Sequence, residues 1–407
     1  DAPQYGPARL HPNVCISYSP SRYSLPLSMI AEALHLIIEL GKPKAGDIIV
    51  TRRGRVGDVA VVPNGTEFAL GQNLVILRSD DSVVTQNFLR WALCGPFYSQ
   101  QVDKYMNVGA VFYSLNCADI PKFEIPVPAK NEQERITHIL GTLDDKIELN
   151  RRINETLEEM ARAIFKSWFV DFDPVHAKAK GKKPAGMDAA TAALFPSSFQ
   201  DSPLGPIPKG WRVGLLDDIC IISTENLNPS QFVGEIFDHY SIPSFDDGKK
   251  PVRELGSEIK SNKTVIHEKS ILVSKLNPRI PRVWLPDISK EYRSICSTEF
   301  LNLLPKDGIT GEYLYCHVSS DMFLRELATL VTGTSGSHQR VRPAAMLKMP
   351  YVHTTEQVIK AFTNKTRNII ELTQVKRRES CTLSITRDTL LPLLLSGTLN
   401  LEGVYSP

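Results

Sequence analysis

Between positions 131 and 171 apolar residues fall at Ile136, Leu140, Leu143, Ile147, Ile153, Leu157, Met160, Ile164 and Trp168, mostly in steps of four and three, with one turn skipped at Asn150. That spacing puts them on one face and predicts a single helix over 131–171. At 1.5 Å per residue such a helix spans roughly 60 Å, more than an ordinary core helix needs. It suits a strut whose seam takes a partner helix, or a long core helix of a bundle, and periodicity leaves both open. A second helix is predicted over 355–391, with Val358, Phe362, Ile369, Leu372, Leu383 and Leu390 roughly on one face and an interruption at Pro392. The first stretch holds six Lys/Arg against nine Asp/Glu, net −3, and the second seven against four, net +3. Opposite signs favour pairing of the two, although exposed pairs are individually weak.

The regions outside these helices carry short apolar runs bounded by turn residues. GDIIVTRRGRVGDVAVVP (46–63) predicts two strands joined by a tight basic turn at Arg52, Arg53, Gly54 and Arg55. A strand is expected over 68–78, a helix over 85–101, and a glycine-bearing loop with two aromatics over 107–116. The Pro-, Ala-, Gly- and Lys-rich stretch 173–205 predicts a linker at a domain boundary, its lysines 178, 180, 182 and 183 a solvated face.

The order then repeats. KSILVSKLNPRIPRVWLP (269–286) aligns without gaps with 46–63 at an offset of 223. Thr85 and Phe88 match Thr310 and Tyr313 at 225, and Pro126, Glu132 and Gln133 match Pro350, Glu356 and Gln357 at 224. A near-constant offset implies duplication of a domain-plus-helix unit, because coincident turn chemistry would drift. The second unit opens near Trp211, and the same offset puts its counterpart before residue 1, so the first module is expected to be N-terminally incomplete by about a dozen residues or more.

A chain of 407 residues has ample length for two or three domains. Its net charge of +2 leaves any nucleic-acid surface to local basic patches. The seven cysteines, at 15, 94, 117, 220, 296, 316 and 381, lack metal-ligand spacing and are expected to be reduced thiols of a cytoplasmic protein. No apolar run reaches the ~18–20 residues of a membrane span. Phosphate-binding loops, dinucleotide fingerprints, HExxH, GxSxG and the Asn/Asp-Pro-Pro-aromatic stretch of adenine methylation are all absent, and Asp246-Asp247 beside Gly248 is expected to be a turn rather than an acidic metal site.

The run TRRGRVGDVAVVP, VGAVFYSLN, IPVPAKNEQERITHILGTLDDKIELNRRINETLEEMARAIFKSWFVDF, PIPKGW, TGTSGSHQRV, MPYVHTTEQ and LLPLLLSGTL resembles the DNA-specificity (S) subunit of type I restriction-modification systems, over nearly the whole chain. The helix with EQxxI, LDDKIELN and FxxWFxDF is the most specific part. The resemblance implies an α+β protein of two tandem mixed α/β target recognition domains, each followed by a long α-helix, the two helices packing as an antiparallel coiled coil. The expected divisions are a first recognition domain at 1–130, a central spacer helix at 131–172, the linker at 173–205, a second recognition domain at 206–354, and the C-terminal helix and tail at 355–407.

What the resemblance further implies is a non-catalytic subunit that reads one half of a bipartite asymmetric double-stranded DNA site with each domain. It would work with two modification subunits and two restriction subunits, carrying no cofactor itself, with S-adenosylmethionine, ATP and Mg²⁺ on the partners. The competing readings are a stand-alone methyltransferase or nuclease and a coiled-coil protein-binding scaffold. Loop position and donor type nominate Arg52, Arg53, Arg55, Tyr113 and Asn116 in the first module for DNA contact. In the second they nominate Lys275, Arg279, Arg282, Ser335, His338, Gln339 and Arg340. Phe165, Trp168, Phe169, Leu393, Leu394 and Leu395 are expected either as a docking surface for partner subunits or as local core packing.

Overall fold

The computed structural model describes residues 42–108, 113–332, 339–399 and 401. They form two compact units, one within 1–149 and 379–407 and one within 150–378. The two long helices, Lys130–Phe169 and Glu356–Leu395, are each 40 residues long and contribute to both.

In the first unit, strand Ile48–Thr51 lies between Val59–Val61 and Leu74–Leu77, antiparallel to both. Alternation sends Ile48 and Val50 inward against Leu93, Tyr98 and Val102. The basic turn needs its glycines: Gly54 and Gly57 have φ of 81° and 88°, and a Cβ on Gly57 would stand 3.0 Å from a methyl of Val102. The expected single helix over 85–101 is two, Gln86–Ala92 and Pro96–Tyr105. Pro96 cannot continue the ladder, and a Cβ on Gly95 would collide with Leu395 at 2.3 Å. Gln133, fully buried, accepts from Thr85 N at 2.8 Å and donates to Val83 and Pro128 carbonyls at 2.9 Å, so one amide ties the segment before the first short helix to the chain entering the long one. Ile136 and Leu140 then pack with Phe88, Trp91, Leu391, Leu394 and Leu395, and Asp144 pairs with both Arg90 and Arg387.

The second unit repeats the small sheet: Ile271–Ser274 lies between Val283–Trp284 and Phe300–Pro305, with Cys220–Ile222 added at the far edge. Register repeats too, since Ile48 faces Leu77 and Ile271 faces Leu303. Thr85 and Thr310 cap the next helices alike, accepting from Phe88 N and Tyr313 N at 3.3 and 3.2 Å. A five-stranded sheet is also present in this unit, mixed because Ile236–Tyr240 runs parallel to Arg293–Ser297.

Two expectations are corrected. The stretch 173–205 is folded: helices Asp173–Ala179 and Ala189–Ala193 deliver Val175, Met187, Ala192 and Phe195 to the unit's core, and Lys178 Nζ donates to the carbonyls of Ala192 and Phe195. Pro392 does not interrupt its helix, which runs to Leu395. In the last turn proline removes one ladder bond, while Leu391, Leu394 and Leu395 are buried around it.

Candidate nucleic-acid interface

In each unit three segments meet beside the small sheet: the loop after the central strand, the turn before the third strand, and a hairpin. In the first, Arg52 N donates to Asn73 O at 2.8 Å, Leu115 N donates to Arg52 O at 2.8 Å, and Arg53 bridges Ser114. In the second, Lys275 N donates to Glu299 O at 3.0 Å, Val341 N to Lys275 O at 2.9 Å, and Leu276 bridges Arg340. The backbone junction is the same in both, and the side chains on it differ. Asn277 N, donating to Gln339 O at 3.0 Å, closes the second junction further.

Arg52, Arg53, Arg55, Tyr113 and Asn116 are thus gathered at one place in the first unit. Arg52 Nε donates to Gln72 O at 2.9 Å, Arg55 pairs with Asp58 at 2.9 Å while staying largely exposed, and Tyr113 is exposed. Asn116 Nδ2 donates to Asp119 at 3.3 Å, and Lys122, then Asn116, hold the Asp119 carboxyl below its ordinary value.

In the second unit Lys275, Arg279, Gln339 and Arg340 sit on the junction, Arg279 exposed and Lys275 and Gln339 half-buried. Ser335 and His338 lie outside the described residues. Arg282 makes a two-pronged pair with Asp246, at 2.7 and 2.8 Å, its side chain only 10% exposed, and so braces the loop from within. Arg340 is likewise paired, with Glu299 at 3.0 and 3.2 Å, but stays 42% exposed. Asp246 ends the short helix Ile242–Asp246, and the turn follows it at Asp247 and Gly248, with Gly248 and Lys249 at φ of 93° and 57°; among the described residues no cluster of His, Cys, Asp or Glu could hold a metal.

Of the two readings open for the aromatic trio, the structure shows local core packing. Phe165, Trp168 and Phe169 are 1%, 6% and 6% exposed and pack on Phe362, Phe195, Tyr313 and Trp211 in the second unit's own core. Leu394 and Leu395 are buried in the first unit, and Leu393 alone of that group is exposed. Sequence reasoning missed Asn73 and Glu299. An offset of 226, which aligns Leu77 with Leu303 in the observed register, sets Asn73 opposite Glu299.

A family model described as "Type I restriction modification DNA specificity domain" matches residues 38–159. The chain is 26% identical to the type I restriction enzyme HindI specificity subunit of Haemophilus influenzae, over 87% of this chain and 86% of that protein. It is 24% identical to the MjaIX specificity subunit of Methanocaldococcus jannaschii, over 88% and 78%. A crystal structure of the type I restriction-modification system S subunit from M. genitalium covers 86% of this chain and 83% of its own, at 16% identity and a TM-score of 0.46. The family model and these relatives agree in what this chain is similar to: the DNA specificity subunits of type I restriction-modification systems.

Proposed function

We propose that the chain reads a bipartite, asymmetric DNA site and directs the methyltransferase and restriction subunits of a type I complex to it. The observation that carries this reading is one backbone junction built twice with different side chains, Arg52, Asn73 and Ser114 in one unit and Lys275, Glu299 and Arg340 in the other. Two like platforms with unlike donors suit two unlike half-sites. Exposed cations such as Arg55 and Arg279 would hold phosphates, and directional groups would read base edges in the major groove.

The domains at 1–130 and 206–354 are the readers in this proposal, and the long helices are an antiparallel coiled-coil spacer between them. Pairings inside each unit support that: Ile136 and Leu140 pack with Leu391, Leu394 and Leu395, Asp144 pairs with Arg387, Glu158 with Arg377, and Phe165 with Phe362, the numbers falling on one helix as they rise on the other. The subunit is non-catalytic and cytoplasmic, and binds two modification and two restriction subunits. S-adenosylmethionine, ATP and Mg²⁺ belong to those partners. Methylated adenines mapped in a plasmid exposed to this chain with its modification subunit should reveal two fixed sequences separated by a constant gap. A single uninterrupted site, or methyl transfer by the chain alone, would overturn the reading.

A further inference from the structure

Loop position and donor type nominate Arg340, and its charge is met within the protein. Glu299 takes its Nε and Nη2 at 3.0 and 3.2 Å, from a turn whose backbone carbonyl also accepts from Lys275 N at 3.0 Å. A neutralised guanidinium displaces few counterions from a phosphate backbone, so its worth to DNA binding lies in direction rather than charge. Glu299 occupies the side edge formed by Nε and one Nη2 hydrogen. The remaining edge, Nη1 with the second Nη2 hydrogen, is the fork that fits O6 and N7 of guanine. At 42% exposure the side chain is accessible while its torsions are held by the carboxylate and by the pairing of Arg340 with Leu276 and Thr332. At the equivalent places the first unit has Asn73 and Ser114, a neutral combination.

We propose that Glu299 is a specificity-determining residue that acts by positioning Arg340 for a guanine edge. This rests on the DNA-reading function proposed above. Held in this way, Arg340 recognises one base pair and is kept away from phosphate.

The test uses the full chain in complex with its modification subunit, binding duplexes that carry the mapped site and every single-base change in it. Arg340→Ala should lose discrimination about tenfold or more at one base pair of one half-site. Glu299→Ala should lose it at that same base pair, and the salt dependence of binding should steepen by about one phosphate's worth as Arg340 becomes free to seek the backbone. Glu299→Gln, which keeps the shape and an acceptor, should restore most of the discrimination and serves if the alanine variant fails to fold. A Glu299→Gln profile identical to Glu299→Ala, a Glu299→Ala profile identical to the unsubstituted complex, or one weakened equally at every position overturns the proposal. If the unsubstituted complex shows no site preference, the parent reading falls, and this one with it.

Discussion

Glu158 on the first long helix accepts from Lys249 Nζ at 3.2 and 3.3 Å and pairs with Arg377 of the second. Burial alone would raise its pKa, but Lys249 and Arg377 together outweigh that and hold it below the ordinary value of 4.5. A carboxyl whose folded pKa is depressed contributes stability above its unfolded pKa, and that contribution is lost as pH falls through the folded value. Acid unfolding of the second unit should therefore set in below 4.5. Glu158→Gln should lower stability near neutral pH by about 2 kcal/mol, because two half-buried cations lose their counter-charge, and should flatten the acid limb. Circular dichroism followed against denaturant at several pH values checks both. An unchanged acid limb in the variant would show that the carboxylate is not held ionised by its neighbours.

The long helices were the most legible elements, since nine apolar positions over 40 residues leave little freedom of phase: 131–171 was expected and Lys130–Phe169 is found. The equivalence of Thr85 and Thr310 follows from the internal offset, and their capping role from the folded structure. What escaped notice shares one physical cause, partners distant in sequence. Asp246 lies 36 residues from Arg282 and Glu299 lies 41 from Arg340, so each arginine reads as an open cation until the chain is folded. The 173–205 stretch has no helical period and reads as a linker, yet its few apolar residues find the aromatic cluster at the end of the first long helix. Asn150, where the seam skipped a turn, is fully buried, and neither side-chain polar atom has a hydrogen-bond partner among the described residues. An unmet buried amide costs about 1–3 kcal/mol. Asn150→Leu should accordingly raise the denaturation midpoint, and a lower midpoint would mean that the amide is satisfied by bound water. A polar residue in such a seam fits a device that fixes register at a cost in stability.

For the whole molecule the decisive quantity is length. If the helices are a spacer, the number of unread base pairs between half-sites is set by helical rise, and the recognition loops have no part in it. Seven residues inserted at matched depth in both helices add two turns, about 10.5 Å, and leave the apolar seam in phase. At 3.4 Å per base pair, that corresponds to a gap longer by about three base pairs. The inserted protein should therefore methylate the same two half-sites at the wider spacing and lose preference for the original one. Insertion of two residues should instead rotate Ile136, Leu140 and their mates out of the seam and cost stability before it shifts any spacing. Mapping methylated adenines for each variant separates the effects. A gap that stays constant while the seven-residue variant remains folded would mean that the separation is set elsewhere, and the helices would then be left with packing and partner binding alone.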